Sequence, residues 1–262
     1  MSQDQHAPDA DSAPAPVESP PAALRRRLAA RRLLRAETFY AAGLAGYAVL
    51  ALLAYRYAYF GWDVRAARAI QAVGVPGWFE FMDMVSWFGN GWTPHLLAGL
   101  TALYFFSRRR FSEGAALALS AGGGGLVNKA FKVLIARPRP AAELVGFSYE
   151  GTGESFPSGH VSFYVCYFGF LFFVAFAILP RDSWQRRAAL VLAALPVVLV
   201  GFSRITLRAH WPSDVAGAYL LSGLWLGLSL EMYRRWKRGA TIRRAARTLA
   251  AEAAETPGPL DG

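Results

Sequence analysis

The sequence predicts an all-α integral membrane protein, a bundle of six transmembrane helices with both termini on the cytoplasmic side. Three observations carry this expectation. The chain has 262 residues, 54% of them apolar and 14% aromatic, with a positive mean hydropathy, too apolar for an ordinary soluble domain. Its uncharged stretches approach the ~20 residues that cross a bilayer. Its arginines gather in short runs between those stretches, as loop-flanking charges do in a multi-span protein. The net charge of +10 is therefore read as membrane topology, and no nucleic-acid partner is expected.

Residues 1–24 mix Pro, Ala, Ser and Asp with almost no large apolar side chain and are expected to be unstructured. They lack the ordered basic start, apolar stretch and small-residue cleavage site of a secretory signal. Arg25–Arg35 is a basic, Leu-containing stretch, either a helix lying against anionic headgroups or a solvated juxtamembrane helix. The expected organisation is a cytoplasmic tail over 1–36, a six-span domain over 37–232 and a basic cytoplasmic tail over 233–262.

Thr38–Tyr55 holds no charged residue and is followed by Tyr57, Tyr59 and Phe60, a first span with an aromatic belt at its far end. Residues 61–83 interleave Trp62, Ile70, Val73, Trp78 and Phe79 with Arg65, Arg68, Glu80 and Asp83, the pattern of a short amphipathic element on the membrane or capping the bundle. A second span lies within Met84–Ser107 and stops at Arg108-Arg109-Arg110. His95 within it has no acidic partner nearby and is read as a packed or interfacial side chain.

The third span runs from near Phe111 to Lys132. Its Ala121-Gly122-Gly123-Gly124-Gly125 centre has neither a preceding strand nor a following Gly-Lys-Ser/Thr, so it is no phosphate loop; small residues that let helices approach closely are the better account. Lys129, one turn before Lys132, either faces the same polar cavity or snorkels. Val161–Pro180 is a fourth span, Ala188–Ser203 a fifth, and a sixth begins near Pro212 and continues to about Glu231. Cys166 sits alone inside an apolar run, where a space-filling role is expected. His6 lies in the polar tail, and no zinc-type Cys/His spacing occurs.

Three runs stand out from this background: Lys132-Val-Leu-Ile-Ala-Arg-Pro-Arg139-Pro140, Pro157-Ser158-Gly159-His160, and Ser203-Arg204-Ile-Thr-Leu-Arg-Ala-His210-Trp-Pro-Ser-Asp214. With both termini inside, the amino-terminal tail, the loops after spans two and four and the carboxy-terminal tail hold most of the 28 Lys and Arg, as the positive-inside rule requires. The same topology puts all three runs at the outer ends of helices.

Together they hold what phosphoryl chemistry needs. A transferring phosphoryl group spreads charge over three oxygens, and fixed cations and N–H donors aimed at those oxygens supply most of the catalysis. Arg139 and Arg204 offer planar bidentate forks and Lys132 a compact charge, with Pro140 stiffening the chain after Arg139. Arg137 and Arg208 are read as headgroup anchors. Ser158 and Gly159 open an apolar helix, where free N–H groups and the helix dipole bind anions; Ser158 is either a hydroxyl donor to the anion or a plain N-cap. His160 points toward the same site. Asp214, four residues after His210 and behind Pro212 at a helix start, can accept the proton-bearing nitrogen of His210 and leave the other nitrogen free to attack.

With this K-x6-RP, PSGH and SR-x5-H-x3-D pattern, the sequence resembles the type 2 phosphatidic acid phosphatase (PAP2) superfamily over roughly residues 38–231. The resemblance implies a PAP2/haloperoxidase-like helical core. It also implies a phosphohistidine on His210, with His160 protonating the leaving group and then activating water. Asp214 would orient His210, and Lys132, Arg139, Ser158, Gly159 and Arg204 would hold the phosphate. No metal or other cofactor is implied, since three cations do the work of magnesium; Glu143, Glu150 and Glu154 share one loop without convincing ligand spacing. That loop, Ala141–Phe156, either selects headgroups or is simply kept solvated by its acids.

The soluble vanadate-dependent haloperoxidases of the same superfamily are disfavoured by the six apolar spans. A phosphotransferase using the same residues, and a binding or transport protein with a relic site, stay open. The expected substrate is a lipid phosphate or diphosphate of the phosphatidate, phosphatidylglycerol phosphate or undecaprenyl diphosphate class. The expected location is the inner membrane with the site facing the periplasm, an orientation that tilts the choice toward undecaprenyl diphosphate.

Overall fold

The computed structural model describes residues 22–146 and 153–255. The stretch expected to be unstructured lies, through residue 21, outside these residues. So do Glu150 with the rest of 147–152, and the Pro- and Gly-containing end 256–262. The described residues are helical throughout, without a strand. The order is α1 (Ala22–Arg56), α2 (Gly61–Gln71), α3 (Trp78–Ser86), a 3-10 turn (Trp87–Gly89), α4 (Thr93–Ser107), α5 (Phe111–Leu117), a π segment (Ala118–Gly123), α6 (Gly124–Ile135), the one-turn α7 (Ala142–Val145), α8 (Gly159–Ile178), α9 (Trp184–Thr206) and α10 (Pro212–Glu255). By contacts, the first part of α1 through Ala41 forms one unit and Ala42–Gly262 a second.

Four helices are long and apolar enough to cross a membrane: Glu37–Arg56, Gly159–Ile178, Trp184–Thr206 and Pro212–Leu249. The other two expected spans take different forms. Within Met84–Ser107, α3 ends at Ser86 and only the 15 residues of α4 make one continuous helix. At 1.5 Å per residue that is ~22 Å, short of a ~30 Å hydrocarbon core. The stretch from Phe111 to Ile135 is continuous, but the π segment interrupts its α-helical register.

That interruption is where the glycines sit. A side chain on Gly123 would lie 2.5 Å from the Trp225 ring, and one on Gly124 2.5 Å from the Cys166 sulfur. These two glycines therefore let α8 and α10 close onto the Phe111–Ile135 stretch. Trp225 Nε1 donates to the Leu119 carbonyl across 3.1 Å, and Ser120 Oγ to the Cys166 carbonyl across 2.7 Å. Gly122 and Gly125 face open space instead. Cys166 is fully buried.

The amphipathic stretch 61–83 resolves into α2 and the start of α3, broken by a turn at Gly77 with φ +77°. α2 packs against α9 and α10, and α3 against α9. Asp63 begins α2: it accepts from the Phe60 amide at 3.2 Å and is completely buried. The sixth helix does not stop near Glu231. It continues through 233–255, because that segment contains no Pro and only Gly239 as a helix-weakening residue. Large apolar side chains such as Leu126, Val133, Leu134, Val191 and Leu192 project outward, as helices facing hydrocarbon require.

Replacing Gly124 with Leu is expected to force α6 off α8 and destabilise the detergent-solubilised protein by about 1–3 kcal/mol, read as a lowered thermal midpoint. Gly125→Leu, which meets nothing within 4 Å, should leave that midpoint nearly unchanged.

Candidate active site

The three sequence runs converge at the ends of α6, α8 and α9 and the start of α10. Lys132, Arg139, Gly159, His160, Arg204 and His210 line one cavity of about 880 Å³. Ser158 and Asp214 stand behind its wall, both fully buried. All eight expected residues are therefore brought together. Lys129 and His95 also line this cavity, and the His95 ring rests 5.6 Å from that of Trp92.

α10 starts with Pro212, whose missing N–H and fixed φ suit a first helical position. This places Asp214 in the first turn, where Oδ2 accepts from the Trp211 amide at 2.9 Å. His210 lies 2% exposed in the turn just before. Its Nδ1 is 3.6 Å from Asp214 Oδ2, and the Ser155 hydroxyl bridges the two, at 3.4 Å from Nδ1 and 2.5 Å from Oδ2. The His–Asp pairing read from the spacing is thus shared with a serine. Burial, followed by the charges of Arg139, Arg204 and Lys132, holds the His210 imidazole well below its ordinary pKa. It is consequently neutral near pH 7, with Nε2 carrying a free lone pair.

Arg137 is not a headgroup anchor. It is 1% exposed, and each nitrogen of its guanidinium donates to an acceptor inside the protein. Nη1 meets Asp214 Oδ1 at 2.6 Å and Ser213 Oγ at 2.7 Å; Nη2 meets Asp63 Oδ2 at 3.0 Å; Nε donates to the Tyr57 and Ala58 carbonyls. The Phe60 ring covers it at 4.7 Å. Asp63 in turn accepts from the Ser213 amide and hydroxyl at 2.8 and 2.7 Å. One guanidinium and the starts of α2 and α10 thus face both carboxylates. Arg208 is not splayed outward either; it adopts φ +59° and packs over Gly146.

Lys132 and Arg139 reach into the cavity beneath the loop before Pro157. Lys132 Nζ donates to the Glu154 carbonyl at 2.5 Å, and Arg139 to the carbonyls of Gly153 at 3.2 Å and Ala209 at 2.9 Å. Arg204 donates to Ser86 Oγ at 2.6 Å. Ser158 holds the N-cap position of α8 but makes no capping bond, and its buried hydroxyl has no partner. A plain N-cap role is therefore not what the structure displays. Asn128 secures the segment from α6, donating to Ser162 Oγ at 2.8 Å and to the Pro157 and Ser158 carbonyls.

Asp63, Asn90, Asn128, Arg137 and Ser155 went unrecognised as site residues in the sequence. For Arg137 and Ser155 a signal existed, their closeness to Arg139 and Pro157. For Asp63 and Asn90, about 70 residues or more from their partners, there was none.

The cavity wall thus carries four cations, Lys129, Lys132, Arg139 and Arg204, and three histidines, one of them backed by a buried carboxylate. The PAP2 superfamily model matches residues 113–238, and over that stretch the chain is similar to that superfamily. It is 29% identical over 160 residues to phosphatidylglycerophosphatase B of Bacillus subtilis strain 168, covering 61% of this chain and 77% of that protein. It is 30% identical to a putative undecaprenyl-diphosphatase of Escherichia coli K12, over 39% of this chain and about half of that relative, 52%. Among solved structures it is similar to a transmembrane PAP2-type phosphatidylglycerolphosphate phosphatase from Bacillus subtilis, with TM-score 0.64, 25% identity and coverage of 75% and 96%. Aquifex aeolicus LpxE shares the fold, with TM-score 0.50, 22% identity and coverage of 66% and 96%. Together the family match and these relatives support a bacterial PAP2 membrane lipid phosphatase.

Replacing Arg137 with Leu would leave Asp63 and Asp214 buried without their cation. The expected cost is about 3–5 kcal/mol, seen as lost monodisperse protein or a sharply lowered thermal midpoint in detergent.

Proposed function

We propose that this protein hydrolyses a lipid phosphomonoester or diphosphate through a phosphohistidine on His210. The observation that carries this reading is His210 itself, buried and neutral, with Nδ1 turned to Ser155 and Asp214 and the ring at the wall of the cation-lined cavity. In the first step Nε2 of His210 bonds to phosphorus and the bond to the lipid oxygen breaks, while His160 gives that oxygen a proton. In the second, His160 takes a proton from water, the water oxygen bonds to phosphorus, and the N–P bond breaks to release phosphate. Lys132, Arg139 and Arg204 hold the three phosphoryl oxygens, with the unpartnered Ser158 hydroxyl and the start of α8 completing the cradle. The positive charge gathered there takes the place a metal ion would otherwise fill.

The six expected spans correspond to α1, α4, the Phe111–Ile135 helix, α8, α9 and α10. With both termini cytoplasmic, the three runs share the outer face of the inner membrane, and 1–36 and 233–262 are cytoplasmic tails. A site on that face suits recycling of undecaprenyl diphosphate, and the similarity to the Escherichia coli relative is in line with it; the similarity to the Bacillus subtilis enzyme favours phosphatidylglycerol phosphate instead.

In detergent micelles containing chelator, phosphate release from a panel of lipid phosphates is expected to persist in wild type and vanish in His210→Ala. Asp214→Asn should still bind phosphate but turn over more slowly by ~10³-fold or more. Normal rates in either folded variant would refute the mechanism. Release that requires an added acceptor alcohol would identify a phosphotransferase.

A further inference from the structure

The segment 78–91, which is α3 and the turn leading to α4, touches the site at two points that the phosphatase chemistry described above leaves unused. α3 and the turn after it are fastened to the core on both sides. Ser203 Oγ donates to the Met82 carbonyl at 2.6 Å, the Tyr164 hydroxyl to the Val85 carbonyl, and Arg204 to Ser86 Oγ. The anchored chain then delivers Asn90, whose Oδ1 lies 2.6 Å from Nε2 of His160. A carbonyl oxygen only accepts, so this nitrogen of His160 carries a hydrogen. Asn90 is itself held at both backbone ends, its amide donating to the Trp87 carbonyl and its carbonyl accepting from the Thr93 amide, each at 3.1 Å. On one side, Gly89 lies so close to the His160 ring that a side chain there would collide with it; on the other, Gly91 turns the chain with φ +52°.

We infer that Asn90 is a positioning residue for His160: it pins Nε2–H, fixes the ring plane, and assigns proton exchange with the substrate to Nδ1. This rests on the reading of His160 as the acid of the first step. The physical need is plain. A histidine that must give up a proton and later take one back works only if the exchanging nitrogen stays aimed at the same oxygen. A neutral acceptor on the opposite nitrogen bonds the ring in both its charge states, so orientation survives the proton transfer. Asn90 thus does for His160 what Ser155 and Asp214 do for His210, from a part of the chain that bears none of the three runs.

The test uses the full-length protein in detergent with two probes of matched chain length, dodecyl phosphate and para-dodecanoylphenyl phosphate. The alkoxide leaving group of the first needs a proton; the phenoxide of the second barely does. Asn90→Ala is expected to lower kcat/KM for the alkyl phosphate by about 10- to 100-fold, with KM little changed, and to alter the aryl phosphate by less than about threefold. Asn90→Asp keeps an acceptor of the same shape, so it should retain alkyl phosphate turnover. Its carboxylate should also move the basic limb of the pH profile upward, by stabilising the charged ring among Lys132, Arg139, Arg204 and His210, with Lys129 and His95 on the same cavity wall.

Equal losses on both probes, or no loss on either, would overturn the assignment, as would an inactive Asn90→Asp that is folded. His160→Ala run in parallel separates the two ideas. If it leaves the alkyl phosphate untouched, the acid role of His160 falls and the Asn90 proposal with it; if it is selectively damaging while Asn90→Ala is not, only the Asn90 proposal falls.

Discussion

The buried guanidinium of Arg137 is the contact on which the rest of this structure depends. It binds Asp214 at the start of α10 and Asp63 at the start of α2, and it takes two carbonyls from the segment that ends α1. Three helix ends are thereby gathered around one cation. A charge withdrawn from water this far is tolerated only when it is paired and hydrogen-bonded, and here all three nitrogens are bonded and two carboxylates face them. The match fixes the geometry: with Asp214 Oδ1 committed to Arg137, Oδ2 is left for the Trp211 amide, Ser155 and His210. One carboxylate thus ties the fold to the histidine.

The site around it is an exercise in unequal charge. Lys132, Arg139 and Arg204 face the cavity with carbonyls and a hydroxyl as bonded partners, whereas Arg137, one residue away from Pro138 and two from Arg139, is neutralised inside the protein. Burial, and then the charges of Arg139, Arg204 and Lys132, hold the His210 imidazole well below its ordinary pKa. In the proposed mechanism one arrangement of cations serves both phosphate binding and the readiness of His210. Burial of Ser155 and the capping of Lys132 and Arg139 by the carbonyls of 153–154 place the loop before Pro157 directly over this arrangement.

The π segment and its glycines serve a different end. Gly123 and Gly124 are spent on contact with Trp225 and Cys166, while Gly122 and Gly125 open onto the cavity. A change of helical register partway along Phe111–Ile135 is what lets four consecutive glycines serve both directions. The cavity therefore continues from the charged end alongside small and apolar residues such as Ala98, Ala118 and Leu126.

Much of this was legible in the chain order alone. The all-helical class, the apolar helices and the convergence of Lys132–Arg139, Ser158–His160 and Arg204–Asp214 follow from local facts: hydropathy over a bilayer length, the sign of loop charges, and spacings within one or two helical turns. Those properties belong to neighbours in sequence, so they survive without coordinates. What only tertiary packing decided are pairings between distant segments: Asp63 with Ser213 and Arg137, Asn90 with His160, and Ser86 with Arg204. A lone Asp in an amphipathic stretch, or an Asn between two glycines, carries no mark of its partner. The reversal of Arg137 has the same cause. Two arginines separated by one proline look alike on paper, and only the burial of one between two carboxylates, with the other lining the cavity, tells them apart.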